Sequence, residues 1–178
     1  GTFTLVAPLG VAADATADTV LREVTRWREA GANAFHVGFA ADTPNGLVVP
    51  VIRDHAVAGD LVVFCPDVIG TDVVGRLPAG VRATSFPNLG TSERIDWVDY
   101  AQKVRDARPL TFSKRLLRIA GDHTMWFVYT NNGAEADQKC EKIADYLTLA
   151  RPNRTRELEP DPYFYEHQGV YRYPPLSS

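Results

Sequence analysis

The sequence predicts an α/β fold, a three-layer sandwich with a mostly parallel sheet of about five strands. Two observations carry this. Apolar runs of strand length alternate along the chain with stretches whose apolar residues recur at helical spacing, the order that builds strand–helix–strand units. Two of the runs, "LVVFC" at 61–65 and "TMWFVYT" at 124–130, are apolar, β-branched or aromatic nearly throughout, as strands covered on both faces must be. At 178 residues and 45% hydrophobic, the chain suits one buried core. It is read as a single domain over 1–178, ending in an aromatic-rich extension over 160–178.

The elements follow in order. "FTLVAPL" at 3–9 is a buried strand ended by Pro and Gly. Val20, Leu21, Val24 and Trp27 recur at helical spacing before the stop at Gly31. "AFHVGFA" at 34–40 is a second strand, and "PVIRDHAVAG" at 50–59 a short helix with Pro50 in its first turn. The strand "LVVFC" stops at Pro66, which cannot donate to a ladder. Asp67 then caps a glycine-weakened helix over 68–77, and "VRATSFP" at 81–87 is the next strand.

The helix "IDWVDYAQKVRDA" at 95–107 carries a stripe of Trp97, Tyr100, Ala101 and Val104. After Pro109 a further helix buries Phe112, Leu116 and Ile119. Following the strand at 124–130, Asn131 or Asn132 caps a helix with acids in its first turn and a buried stripe of Ala136, Cys140, Ile143, Ala144 and Leu147. The tail "PYFYEHQGVYRYPP" reads as a loop and an edge strand.

A net charge of −3 with interspersed signs gives no electrostatic footprint for nucleic acid. No run reaches the ~20 apolar residues that span a bilayer. The segment "APLGVAADA" lacks the glycine pattern of a dinucleotide cradle, so the fold is Rossmann-like without that fingerprint. No CxxC, HxxxH or HExxH motif is present, and neither a metal nor a cofactor is expected.

Cys65 would need a histidine partner to act as a nucleophile, and His36, His55, His123 and His167 stand in no recognisable motif. Cys65 at a strand end and Cys140 early in a helix lie at the same rim of a parallel sheet. A disulfide and two free core thiols are equally good readings of that placement. The turn "YTNNGAEADQ" offers amides to an anion, but Glu135 and Asp137 already occupy its positive end, and an ordinary capped turn explains it. "NRT" at 153–155 matches the N-glycosylation pattern.

The stretch "ERIDWVDYAQK" sets Asp96, Trp97 and Asp99 beside Tyr100. Carboxylates next to an indole suit a sugar ring, and they equally suit a helix start with aromatics turned to the core. Paired carboxylates are also the equipment of glycoside hydrolysis. Ligands of open α/β sheets sit beyond the carboxyl ends of the strands. That rim would gather Asp67, Asp96, Trp97, Asp99, Asn131, Asn132, Tyr165 and His167 into a candidate site for a neutral polyol.

The segments "GDLVVFCPDVIG", "ERIDWVDYAQKVRDA", "TMWFVYTNNGAEADQKCE" and "YFYEHQGVYRYP" resemble the carboxyl-terminal soluble region of large actinobacterial membrane proteins. These are multi-spanning glycosyltransferases of the GT-C type, related to PIG-V and the protein mannosyltransferases. The resemblance covers residues 47–175. It implies a domain on the extracytoplasmic face of the plasma membrane, attached to a membrane-embedded portion of the same polypeptide that uses polyprenyl-phosphate sugars. The catalytic carboxylate would lie in that portion, leaving this region catalytically silent, with a cell-envelope glycan as its possible partner. An oxidising compartment would favour a Cys65–Cys140 disulfide. The other readings are a stand-alone α/β enzyme, hydrolase or sugar-phosphate enzyme, and a purely structural interaction module.

Overall fold

Residues 6–11, 22, 25–26, 34–39, 44–93, 95–130, 135–160 and 168–176 are described by a computed structural model. The chain divides into two compact units, Gly1–Gly46 and Leu47–Ser178. In the first, β1 (Val6–Val11) pairs in parallel with β2 (Ala34–Phe39), in a register running from Val6 opposite Ala34 to Val11 opposite Phe39. Of the helix expected before Gly31, Arg22, Thr25 and Arg26 are described and helical, and Val20, Leu21, Val24 and Trp27 lie outside the described residues.

The second unit is built on a five-stranded mixed sheet. Its strands are β3 (Leu61–Cys65), β4 (Arg82–Ser85), β5 (Met125–Thr130), β6 (Thr155–Leu158) and β7 (Gln168–Tyr173), in the order β4-β3-β5-β7-β6. β4, β3 and β5 are parallel, with Leu61 opposite Met125 and Cys65 opposite Tyr129. β7 and β6 complete the sheet antiparallel. The helices are α1 (Pro44–Arg53), α2 (Tyr100–Asp106), α3 (Pro109–Ala120) and α4 (Glu135–Ala150).

Alternation along the strands divides the core into two layers, as strand geometry requires. Leu61, Val63, Cys65, Met125, Phe127 and Tyr129 face one side and pack with residues of α3 and α4. Val62, Phe64, Trp126, Val128 and Val170 face the other and pack with Val48, Val49 and Ile52 of α1. Helices thus cover both faces, giving the expected three layers, and the uninterrupted apolar runs of β3 and β5 follow from that double burial.

Several local expectations are corrected. The strands expected at 3–9 and 34–40 pair with each other in the first unit, and β6 and β7 supply the remaining strands of the larger sheet. β7 is no edge: it lies between β5 and β6. At its Gly169 a Cβ would come within 2.6 Å of the Tyr129 phenol, so only glycine lets that ring lie across the strand. The helix expected at 50–59 runs instead over Pro44–Arg53 with Pro50 inside it, because Val48, Val49 and Ile52 form the stripe that meets the sheet.

The helix expected at 68–77 is a pair of 3-10 turns, Asp67–Gly70 and Val74–Arg76. The residue at the N-cap position of the first turn is Pro66, which offers no side-chain cap, and Asp67 stands inside that turn with its carboxylate accepting from the backbone N–H groups of Asp67 and Val68. α2 begins five residues later than its sequence pattern suggests, because Asp99 adopts a left-handed backbone with φ 53°. Val104 is buried as expected, but Trp97 and Ala101 are exposed. On α3, Phe112 and Leu116 are buried while Ile119 is exposed, its place in the core being taken by Ala120. The stripe of α4 is buried at Cys140, Ile143, Ala144 and Leu147.

Candidate functional site

The carboxyl ends of β3 and β5 lie side by side, where the chain passes from β3 to β4 on one flank and to β5 on the other. In open α/β sheets this is the place at which ligands are held. Here the crevice is closed from below. Cys65, the last residue of β3, is bonded to Cys140 of α4, with an S–S distance of 2.07 Å and a Cα–Cα distance of 5.6 Å. Both cysteines are 0% exposed, so neither sulfur can meet a substrate. The nucleophile reading of Cys65 is therefore excluded by pairing and burial together.

Two polar pairs seal the rest of the crevice floor. The Tyr100 hydroxyl donates to Asp67 Oδ1 at 2.7 Å, and the Thr130 hydroxyl donates to Asp137 Oδ1 at 2.6 Å. Asp67 is only 4% exposed, so the turn after Pro66 tucks its carboxylate under α2. Burial pushes the Asp67 carboxyl above its ordinary range. The Tyr100 hydroxyl, nearby backbone N–H groups and the charge of Lys103 oppose that rise. Burial likewise raises the Tyr100 phenol, reinforced by Asp67 and by the charge of Asp137. Such a pair holds elements together and is not presented to solvent.

Above this floor the loop before α2 is open. Trp97 is 65% exposed, and its ring rests against Tyr100 with centroids 5.3 Å apart and planes at 54°. Tyr100 thus has two roles, its hydroxyl anchored on Asp67 and its ring supporting Trp97. Asp96 Oδ1 accepts from the Val98 N–H at 3.1 Å, and Asp96 Oδ2 is bonded to Lys103 Nζ at 2.5 Å. The hydrogen bond from Lys103, then that from Val98, holds the Asp96 carboxyl below the usual carboxylate range. Asp99 is exposed beside them and caps nothing with its side chain. An exposed indole backed by a second ring, with the fixed Asp96 carboxylate beside it in the chain and Asp99 exposed two residues on, can stack one face of a sugar and accept hydrogen bonds from its hydroxyls.

Of the residues gathered from sequence, Asp96, Trp97 and Asp99 come together at the surface, and Asp67 lies beneath them. Asn131, Asn132, Tyr165 and His167 lie outside the described residues. Sequence reasoning assigned Tyr100 to the core stripe and missed its link to Asp67. It also missed Thr130, whose signal was a hydroxyl ending a strand just before an acid in the first turn of the next helix. Among the described residues, no three His, Cys, Asp or Glu side chains gather where they could hold a metal ion, and no helix is long and apolar enough to cross a membrane. Comparisons with protein-family models, with curated proteins and with solved structures find no match to this chain.

Proposed function

We propose that this chain is an accessory, non-catalytic domain that holds a neutral saccharide on the Trp97 platform. We place it at the extracytoplasmic face of the membrane, attached to a glycosyltransferase that uses polyprenyl-phosphate sugar donors and positioning a glycan acceptor. The single observation that carries the binding reading is the exposure of Trp97 over Tyr100, in a loop that also exposes Asp96 and Asp99. An exposed tryptophan leaves a large apolar surface in water, and a sugar ring covers such a surface while its hydroxyls stay bonded. The membrane and glycosyltransferase parts of the reading rest on the sequence resemblance, and the Cys65–Cys140 bond agrees with an oxidising compartment.

The competing reading, a stand-alone α/β enzyme, is the weaker one. The crevice where such enzymes work holds a buried disulfide and two internally satisfied polar pairs. An open surface platform buries little of its ligand, so affinity should be about millimolar. Titrating the labelled protein with mannose or arabinose oligosaccharides is the test. Amide and indole shifts confined to 95–103 support the reading, and unchanged spectra at high concentration leave a structural module. A reading frame encoding this sequence without hydrophobic spans would overturn the membrane attachment.

A further inference from the structure

The chain carries a net charge of −3, yet between Lys103 and Arg118 six basic residues face a single acid, Asp106. This local excess is organised around α3, which contains no acidic residue. Its apolar side is spent in the core on Phe112, Leu116 and Ala120. Its other side exposes Leu110, Lys114 and Arg118 at four-residue spacing, with Thr111 and Arg115 alongside.

A groove of about 240 Å³ opens where α3 begins. Pro87, Ala107 and Phe112 contribute its apolar lining, and Arg108, Thr111 and Arg115 its polar lining. The Phe112 ring is held in place by an edge-to-face contact with Phe86 at 5.2 Å. Asp106 also reaches the groove, but both its oxygens already accept from Gln102 Nε2, at 2.8 and 2.9 Å. Neither the Arg108 nor the Arg115 guanidinium has a hydrogen-bond or ion-pair partner among the described residues. Two unpaired guanidiniums on one concave surface match a phosphate, whose oxygens accept from both.

A free phosphate would use this groove alone. The remaining features of α3 suit a flat anionic surface with an apolar interior: Lys114 and Arg118 extend the positive charge along the helix, and Leu110 and Ile119 are exposed at its two ends. We propose that α3 docks on an anionic lipid bilayer, with one lipid phosphate seated between Arg108 and Arg115. The inference draws on this basic face alone and does not depend on saccharide binding at Trp97.

The test is co-sedimentation of the full chain with vesicles of phosphatidylcholine, with and without phosphatidylglycerol, at rising salt. The protein should bind only the anionic vesicles and leave them as salt screens the charges. At roughly one lysine or arginine contribution per charge, Arg108→Gln and Arg115→Gln should each weaken binding about fivefold, and together about thirtyfold. Arg53→Gln, an exposed arginine of α1 paired with Asp54 at 3.4 Å, should bind as wild type. Thermal melting of each variant confirms that these surface changes leave the fold intact.

Equal binding to neutral and anionic vesicles would overturn the proposal. So would a loss in Arg53→Gln as large as in the double variant, since binding would then follow overall charge. Shifts at Arg108 and Arg115 on adding glycerol phosphate, with no vesicle binding, would make the groove a site for small phosphates and overturn the docking.

Discussion

The two ends of the larger sheet are closed by different chemistry. At the amino ends of β3 and β5, ionic side chains are spent on neighbouring backbone. The buried Asp60 carboxylate accepts from the Val57 and Thr124 N–H groups, both at 3.2 Å, and from Trp126 Nε1 at 3.1 Å. The buried Arg151 donates to the carbonyls of His123, Gly121 and Tyr173. Arg82 donates to the carbonyls of Gly59 and Ile119. At the carboxyl ends, a disulfide and two neutral-donor pairs form a sealed floor beneath an exposed tryptophan. Among the described residues, the non-glycine residues with left-handed backbone, Leu89, Ser92 and Asp99, all fall in the loop on this carboxyl side of β4. One end is built to fix the strands, and the other combines fixation with a surface shaped for contact.

If the floor of the carboxyl end is mainly a covalent clamp, opening it should have the largest effect. Cys65 and Cys140 close a separation of 75 residues. Chain entropy assigns such a loop about 4.5 kcal/mol. Replacing both by alanine should lower the unfolding free energy in urea by that order, with the same secondary structure by circular dichroism. At the amino end the corresponding change is Asp60→Ala. It strands a buried indole N–H and backbone N–H groups, and should cost about 3 kcal/mol. A loss there below about 0.5 kcal/mol would mean that water satisfies those donors as well as the carboxylate does.

A smaller effect separates two carboxylates of the carboxyl end by pH. Asp67 has a folded pKa above its ordinary value of 3.8, chiefly through burial. The folded state therefore holds that proton more tightly than the unfolded chain. Its contribution favours folding at low pH and is withdrawn as pH rises from 3.8 through the folded pKa. Asp67→Asn should flatten this decline, with the Tyr100 hydroxyl still finding an amide oxygen. Asp96, lowered by Lys103, has the opposite sign: its contribution is present above 3.8 and is lost as pH falls through its depressed pKa. Asp96→Asn should remove that loss. Stability curves in urea from pH 3 to 7 check both signs.

The fold was legible where burial imposed a pattern. β3 and β5 are covered on both faces, so their runs had to be continuously apolar, and α4 showed its stripe from Cys140 to Leu147 for the same reason. β6, "TREL", is exposed or half-buried and held by its ladder to β7, so no hydrophobic pattern announces it. The position of β7 depended on a pairing with β5 far away in sequence, and its Gly169 has meaning only beneath Tyr129.

At the site, Asp96, Trp97 and Asp99 were legible by composition, but which aromatic faced water was not. The sequence pattern ran a helix through Trp97, whereas the left-handed backbone at Asp99 starts α2 at Tyr100 and leaves the indole outside. The Asp67–Tyr100 hydrogen bond joins residues 33 apart, and local patterns carry no trace of it. The charge excess around α3 was hidden by the interspersed signs of the whole chain.

The smallest expected effect on stability falls at Trp97, and it gives the most direct test of recognition at the carboxyl end. Trp97→Ala removes an exposed ring that rests on Tyr100. Its stability in urea should stay within about 0.5 kcal/mol of wild type, as for other surface substitutions. Titration of wild type and variant with the same mannose oligosaccharide, followed by amide and indole shifts, is the decisive measurement. The expected result is saturable shifts over 95–103 in the wild type and none in the variant at equal stability. Identical shifts in both proteins, or none in either, would contradict the assignment of Trp97 as the platform of a saccharide site.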